Sequence, residues 1–187
     1  MDTRPAIYSA SKIWNAEKWR HLRDNGTYNI TSRWIDGECG TPDNRLDTSD
    51  PDDTERRLIW DTCNQDLIRS DLAIIYAEEG DDMRGAIAEL GGMLATSCPV
   101  YLVGDCASFR AKNDSDAAYT CHPMFFHIYK LEDYVAGYRL AFFHYLENQA
   151  IFWAEKAHNL YLQSQRLAQL QRSHALDGAR LTTRVEA

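Results

Sequence analysis

Leu72–Gly92 reads LAIIYAEEGDDMRGAIAELGG, and the fold turns on how this stretch is read. Leu72–Tyr76 is a nearly continuous apolar run of strand length, the pattern of a strand buried on both faces of a parallel sheet. Glu78–Arg84 (EEGDDMR) is an acidic turn, and Arg84–Thr96 (RGAIAELGGMLAT) reads as a helix rich in small residues. Pro99–Val103 (PVYLV) is a second buried strand, so the local order is strand, helix, strand, the unit of parallel α/β folds.

The same alternation extends outward. Ala6–Ala10 (AIYSA) is a short β-prone run, and Lys12–Arg23 predicts a helix with Ile13, Trp14, Trp19 and Leu22 at roughly helical spacing. Asn25-Gly26 stops that helix, and Tyr28–Ile35 (YNITSRWI) predicts a second strand. Asp36–Asp53, acidic and broken by Gly37, Gly40, Pro42 and Pro51, predicts a solvated loop or lid; its Asp43–Asp53 part lacks the spacing of an EF-hand cation loop. Thr54–Ser70 predicts a helix capped by Thr54, with Leu58, Trp60, Cys63, Leu67 and Ile68 close to one face. Phe126–Tyr129 is the expected last strand.

From Leu131 onward the period is helical. Tyr134, Val135, Tyr138, Phe142, Tyr145 and Leu146 form one stripe; Ile151, Phe152, Leu160, Leu162, Leu167 and Leu170 continue the pattern, and the polar tail after His174 is expected to fray. The expected fold class is therefore α/β: an open, mostly parallel five-stranded sheet flanked by helices in a three-layer, flavodoxin- or Rossmann-like arrangement over residues 1–130. A C-terminal helical extension over 131–187 is expected to pack on that domain or in a subunit interface. Its apolar stripe exceeds what one small sheet needs and predicts a homo-oligomer.

Composition bounds the partners. The 187 residues carry 20 Lys and Arg against 28 Asp and Glu, a net charge of −8, which argues against coating a nucleic-acid polymer or an anionic membrane. No apolar run reaches the length of a membrane span, and the N-terminus lacks a signal-peptide pattern, so a cytoplasmic location is expected. The 5 cysteines include no C-x-x-C pair, and the 6 histidines include no H-E-x-x-H. Cys121, His122 and His127 come nearest to a ligand cluster without metal-site spacing, so no metal is expected.

In parallel sheets, ligands sit beyond the carboxyl ends of the strands. That rule selects three loops: Ser9, Ser11 and Lys12; Trp34 and Asp36; and Glu78–Arg84 running into the helix of Glu89. Glu89 is the one carboxylate in a helix of small and apolar residues, where it costs desolvation unless something uses it. It is either a nucleophile or a Glu satisfied on the helix surface. Arg84, at a helix N-terminus, either holds a phosphate with Ser9, Ser11 and Lys12 or pairs with Asp81 or Asp82. Trp34 and Asp36 either meet a base or are a packing Trp and a loop Asp.

Several pieces occur together in order: Ile7-Tyr8 at the first strand, Gln65-Asp66-Leu67 in a helix, Ser70-Asp71 before the buried strand, and Gly85-x-x-x-Glu89-Leu90-Gly91 after it. Across Ala6–Val103 this set resembles the nucleoside 2-deoxyribosyltransferase-like family, including its relatives that hydrolyse deoxynucleoside monophosphates. The resemblance implies an enzyme that cleaves an N-glycosidic bond of a nucleoside or nucleotide and transfers the sugar to a base or to water. It implies Glu89 as the attacking carboxylate, Tyr8 as the residue orienting it, and Asp66 near the leaving base. Asp71, Asp82 and Gly85, with Ser9, Ser11, Lys12, Trp34, Asp36 and Arg84, are the expected substrate-binding residues. No metal or organic cofactor is needed for such a displacement. The alternatives are a non-catalytic nucleotide-binding or sensing protein and an NAD-type glycohydrolase.

Overall fold

Strands β1 (Ala6–Ala10), β2 (Asn29–Ile30), β3 (Leu72–Ala77), β4 (Val100–Gly104) and β5 (Phe125–Ile128) form one sheet in the order β2-β1-β3-β4-β5, with every neighbouring pair parallel. The computed structural model describes residues 2–37, 53–110, 118–128 and 133–185. Helices α1 (Ala16–Asp24), α2 (Asp53–Ile68) and α3 (Arg84–Ala95) connect the strands, and α4 (Tyr134–Val185) follows β5. The chain divides into two units, Met1–Phe143 and His144–Ala187, so the opening of α4 belongs to the α/β unit.

Alternation along β1 sorts the helices into layers. Tyr8 pairs with Ala73 and turns toward α3, where its hydroxyl meets Glu89. Ser9 pairs with Ile74 and turns the other way, where its hydroxyl lies 3.1 Å from that of Tyr138 on α4. On that second face Trp19 of α1 packs edge-on to Tyr76 at 5.5 Å and against Tyr138 at 5.5 Å. Helices thus cover both faces, and Leu72, Ala73, Ile74 and Ile75 are fully buried, as the unbroken apolar run of β3 requires.

One backbone feature sets the carboxyl edge. Gly104 ends β4 with φ of +88°, and a Cβ there would stand 2.1 Å from the carbonyl oxygen of Ala77 at the end of β3. Only glycine allows this approach and this φ.

The structure corrects several expectations. The second strand is two residues long, not eight; Arg33–Asp36 forms a 3₁₀ turn closed by Gly37 at φ of 78°. Ser32 explains the early end: its hydroxyl accepts from the Ser9 backbone N–H at 2.7 Å, in place of a strand partner. The first helix is split, with a 3₁₀ turn at Ile13–Asn15 ahead of α1. Helix α2 begins at Asp53, so Thr54 lies inside it. Its inner face is Thr62, Cys63, Asp66 and Leu67, whereas Leu58, Trp60 and Ile68 are exposed. The tail after His174 is helical to Val185; its Ala, Leu and Arg residues are good helix formers. Glu38–Asp52, the body of the expected lid, lies outside the described residues. No helix among the described residues is long and apolar enough to cross a membrane.

Candidate active site

Helix α3 follows the acidic turn and lies across the face of the sheet that carries Tyr8. Its Ala86, Leu90 and Met93 are buried, spaced so that Glu89 flanks the inward stripe. The Tyr8 hydroxyl, fully buried in the middle of β1, donates to Glu89 Oε1 at 2.8 Å. The thiol of Cys63, from α2, is the second donor to the same carboxylate. Glu89 as a whole residue is half-buried, but its carboxyl group sits among buried partners.

No cation is among the partners that move this carboxyl. Burial pushes its pKa from the usual 4.5 up to about 7, and the hydrogen bonds from Tyr8 and Cys63 pull the other way without cancelling it. Burial, then the neighbouring Glu89 charge, holds the Tyr8 hydroxyl well above its ordinary value, so Tyr8 is a donor at every physiological pH. A carboxyl tuned near 7 and held by neutral donors can be a nucleophile or a proton carrier. Gly85 stands one helical turn before Glu89, and the space a side chain would fill there is open. A ligand can therefore approach along this face of α3.

The other expected site residues are placed differently. Asp66 is buried and accepts from the Arg33 backbone N–H at 2.8 Å and from Arg33 Nε at 2.8 Å. It ties α2 to the 3₁₀ turn after β2. Asp71 accepts from the Ala6 N–H at 2.7 Å at the amino end of β1, the opposite edge of the sheet from the expected site. Trp34 is buried with its indole N–H on the Ser9 carbonyl at 2.7 Å, and Asp36 is held by Arg23 at 2.5 and 2.9 Å. Trp34 therefore packs, as in the plainer alternative, while Asp36 lies in a 3₁₀ turn and is paired with Arg23. Arg84 is exposed and pairs with Asp82 at 3.0 Å, again the plainer alternative.

On the first loop, Ser9 is buried, and Ser11 accepts from the Trp19 indole at 2.7 Å. Lys12 lies 5.4 Å from the centre of the exposed Trp14 ring. The structure thus joins Tyr8 and Glu89, leaves Gly85 beside them, and disperses the rest.

Two features escaped the sequence reading. As one residue of an apolar face, Cys63 gives no sign in the sequence of its bond to Glu89; its spacing by one helical turn from Asp66 and Leu67 is the available signal. The loop after β4 was the other. Together with Tyr76–Gly80 and Asp133 it lines a cleft of about 850 Å³, whose walls include Gly104, Asp105 and Arg110. Arg110 is paired with Asp105, and neither Tyr8 nor Glu89 lines this cleft. The carboxyl-edge rule applied to all strands, not three, would have included it. Among the described residues no group of three His, Cys, Asp or Glu converges as a metal site would. Compared with models of known protein families, the chain matches none, and no curated protein sequence matches it.

Proposed function

We propose that the protein cleaves the N-glycosidic bond of a deoxynucleoside, nucleoside or nucleoside monophosphate, acting as a homo-oligomer without metal or organic cofactor. The observation that carries this reading is the 2.8 Å bond from the buried Tyr8 hydroxyl to Glu89, on a helix whose Gly85 leaves room beside the carboxylate. In the reaction, ionised Glu89 attacks the anomeric carbon as the bond to the base nitrogen breaks. The base leaves with the electron pair and takes up a proton. The glycosyl ester on Glu89 is then displaced by a second base or by water. The Tyr8 bond fixes the carboxylate in one orientation, and the negative charge stabilises the oxocarbenium-like transition state. Because the attacking form is the anion, kcat/KM rises with pH through about 7, the pKa of Glu89.

A non-catalytic nucleotide-binding protein is the second reading. It is favoured by the engagement of Asp66 with Arg33, which leaves no acid identified for the departing base. Trapping separates the two. A 2-fluoro-arabino nucleoside and its 5′-monophosphate are incubated with the protein, followed by intact and peptide mass spectrometry. A sugar adduct on the Glu89 peptide, absent in Glu89→Gln, is the expected result. Binding without adduct or released base across a panel of nucleosides and nucleotides would hand the case to the non-catalytic reading.

A further inference from the structure

Every residue from Ala150 to Leu167 is exposed, although the segment is helical throughout and rich in large apolar side chains. Ile151, Phe152, Trp153, Leu160, Tyr161, Leu162 and Leu167 are 43–61% exposed. Soluble monomers rarely display such a surface, and a helix this apolar owes its stability to something packed against it.

Within that surface one repeat is regular. Leu146, Trp153, Leu160 and Leu167 recur every seven residues, and Ala150, Ala157 and Ser164 fall four after the first three. Steps of four and three average 3.5 residues, the period of a left-handed two-helix seam. The seam alternates large with small: one position in each repeat is Leu or Trp, the other Ala or Ser.

We propose that this seam pairs with the same seam of a second copy, antiparallel, with Trp153 of one copy against the partner's Ala157. In that register Leu146 meets Ser164, Ala150 meets Leu160 and Trp153 meets Ala157, and the two-fold symmetry repeats each layer. Each of these three layers then sets one large side chain against one small one, which fills space evenly; only at the outer end does Leu167 meet another large residue, Phe143. A parallel pairing stacks Trp153 on Trp153 and Ala157 on Ala157, overpacking one layer and leaving the next empty.

Charge points the same way. The chain as a whole carries −8, which opposes association of copies. The segment Leu146–Leu167 is balanced: Glu147 and Glu155 stand toward its start, Lys156 and Arg166 toward its end. Antiparallel pairing brings the Glu147 end of one helix beside the Arg166 end of the other and leaves only the central Glu155 and Lys156 near their own copies, whereas parallel pairing sets every charge beside its own copy. Lys156 lies 4.7 Å from the centre of the Trp153 ring and 5.9 Å from that of Phe152. It covers the flank of the seam with its stem while its charge stays in water. The proposal deepens the homo-oligomer reading, on which it rests, and is independent of the chemistry at Glu89.

The test uses the full chain with Cys39 and Cys121 changed to Ser. Light scattering at micromolar concentration should give twice the 21.5 kDa chain mass. Chains carrying Leu146→Cys and chains carrying Ser164→Cys are then mixed and mildly oxidised. The mixed 146–164 disulfide should exceed either like pair several-fold on a non-reducing gel, since parallel helices hold these positions about 27 Å apart. A larger even assembly with the same 146–164 link also supports the pairing. Leu160→Glu should give the single-chain mass while the circular dichroism of the α/β unit is kept. A single-chain mass for the parent overturns both the pairing and the homo-oligomer reading. A double mass with 146–146 and 164–164 links overturns the antiparallel register and leaves the homo-oligomer reading standing.

Discussion

Asp66 and Glu89 sit on neighbouring helices, α2 and α3, and both carry their carboxyl groups into buried surroundings. Asp66 meets a guanidinium and a backbone N–H, both from Arg33. Glu89 meets two neutral donors, Tyr8 and Cys63. The first arrangement spends the negative charge on holding a turn in place. The second orients a carboxylate without neutralising it and lets burial raise its pKa to about 7. Burial alone therefore does not distinguish the two carboxyl groups; the nature of the partner does.

The sharpest way to break this contrast is Glu89→Gln. If Glu89 is the nucleophile, turnover of an identified substrate should fall at least about a thousandfold, with the circular dichroism spectrum and ligand binding kept. Turnover within a few-fold of the parent would put Glu89 in the same class as Asp66.

The next effect is on stability against pH. Folding raises the Glu89 pKa from 4.5 to about 7, so between those values the folded protein keeps a proton that the unfolded chain gives up. The contribution of Glu89 is complete below about pH 4.5 and is lost as pH rises through about 7. The loss is at most about 3 kcal/mol, less wherever water reaches the carboxylate. In urea titrations Glu89→Gln should match or exceed the parent above pH 7, and the gap between them should close toward pH 5. Parallel curves for the two proteins across that range would contradict the buried, neutral-donor environment.

Asp66→Ala should cost about 2 kcal/mol by urea denaturation, because it strips a buried turn of two charge-assisted bonds. Turnover per folded molecule should stay within about tenfold; a thousandfold fall would return Asp66 to the chemistry. The smallest effect belongs to Arg84→Ala. Its exposed pair with Asp82 predicts less than about 0.5 kcal/mol on stability. Calorimetric affinities for a nucleoside and its monophosphate should change alike. A selective loss of the monophosphate would show that Arg84 leaves Asp82 to meet a phosphate.

Those outcomes bear on how much was legible in the residues alone. Strands β3 and β4 were, because a strand covered on both faces needs an unbroken apolar run, and Leu72–Tyr76 and Pro99–Val103 supply it. Strand β2 was overread: Thr31–Ile35 has β-prone side chains, but the Ser32 hydroxyl and the Trp34 indole take the Ser9 backbone groups and bend the chain into a turn. Glu89 stood out because a lone carboxylate among small apolar residues is costly wherever the helix lies. The partner of Asp66 was not legible, since Arg33 is distant in sequence and no local pattern joins them. Cys63 was hidden for a different reason: a thiol reads as a small hydrophobe until its neighbours are known.

The strand order has a consequence for how the chain is made. Strand β1 shares only a two-residue ladder with β2, and its longer ladder, Ile7↔Leu72 through Ala10↔Ile75, joins it to β3. At the usual ~5–20 residues per second, ribosomal synthesis needs several seconds to travel from one side of that ladder to the other. Through that interval Ile7 and Tyr8 have been made with α1 and the short β2 available, but without β3 and α3 to complete their packing. A nascent chain of this protein therefore passes through a stage in which its first strand is available to other strands or to chaperones. The codons that set the pace between β2 and β3 fix how long that stage lasts.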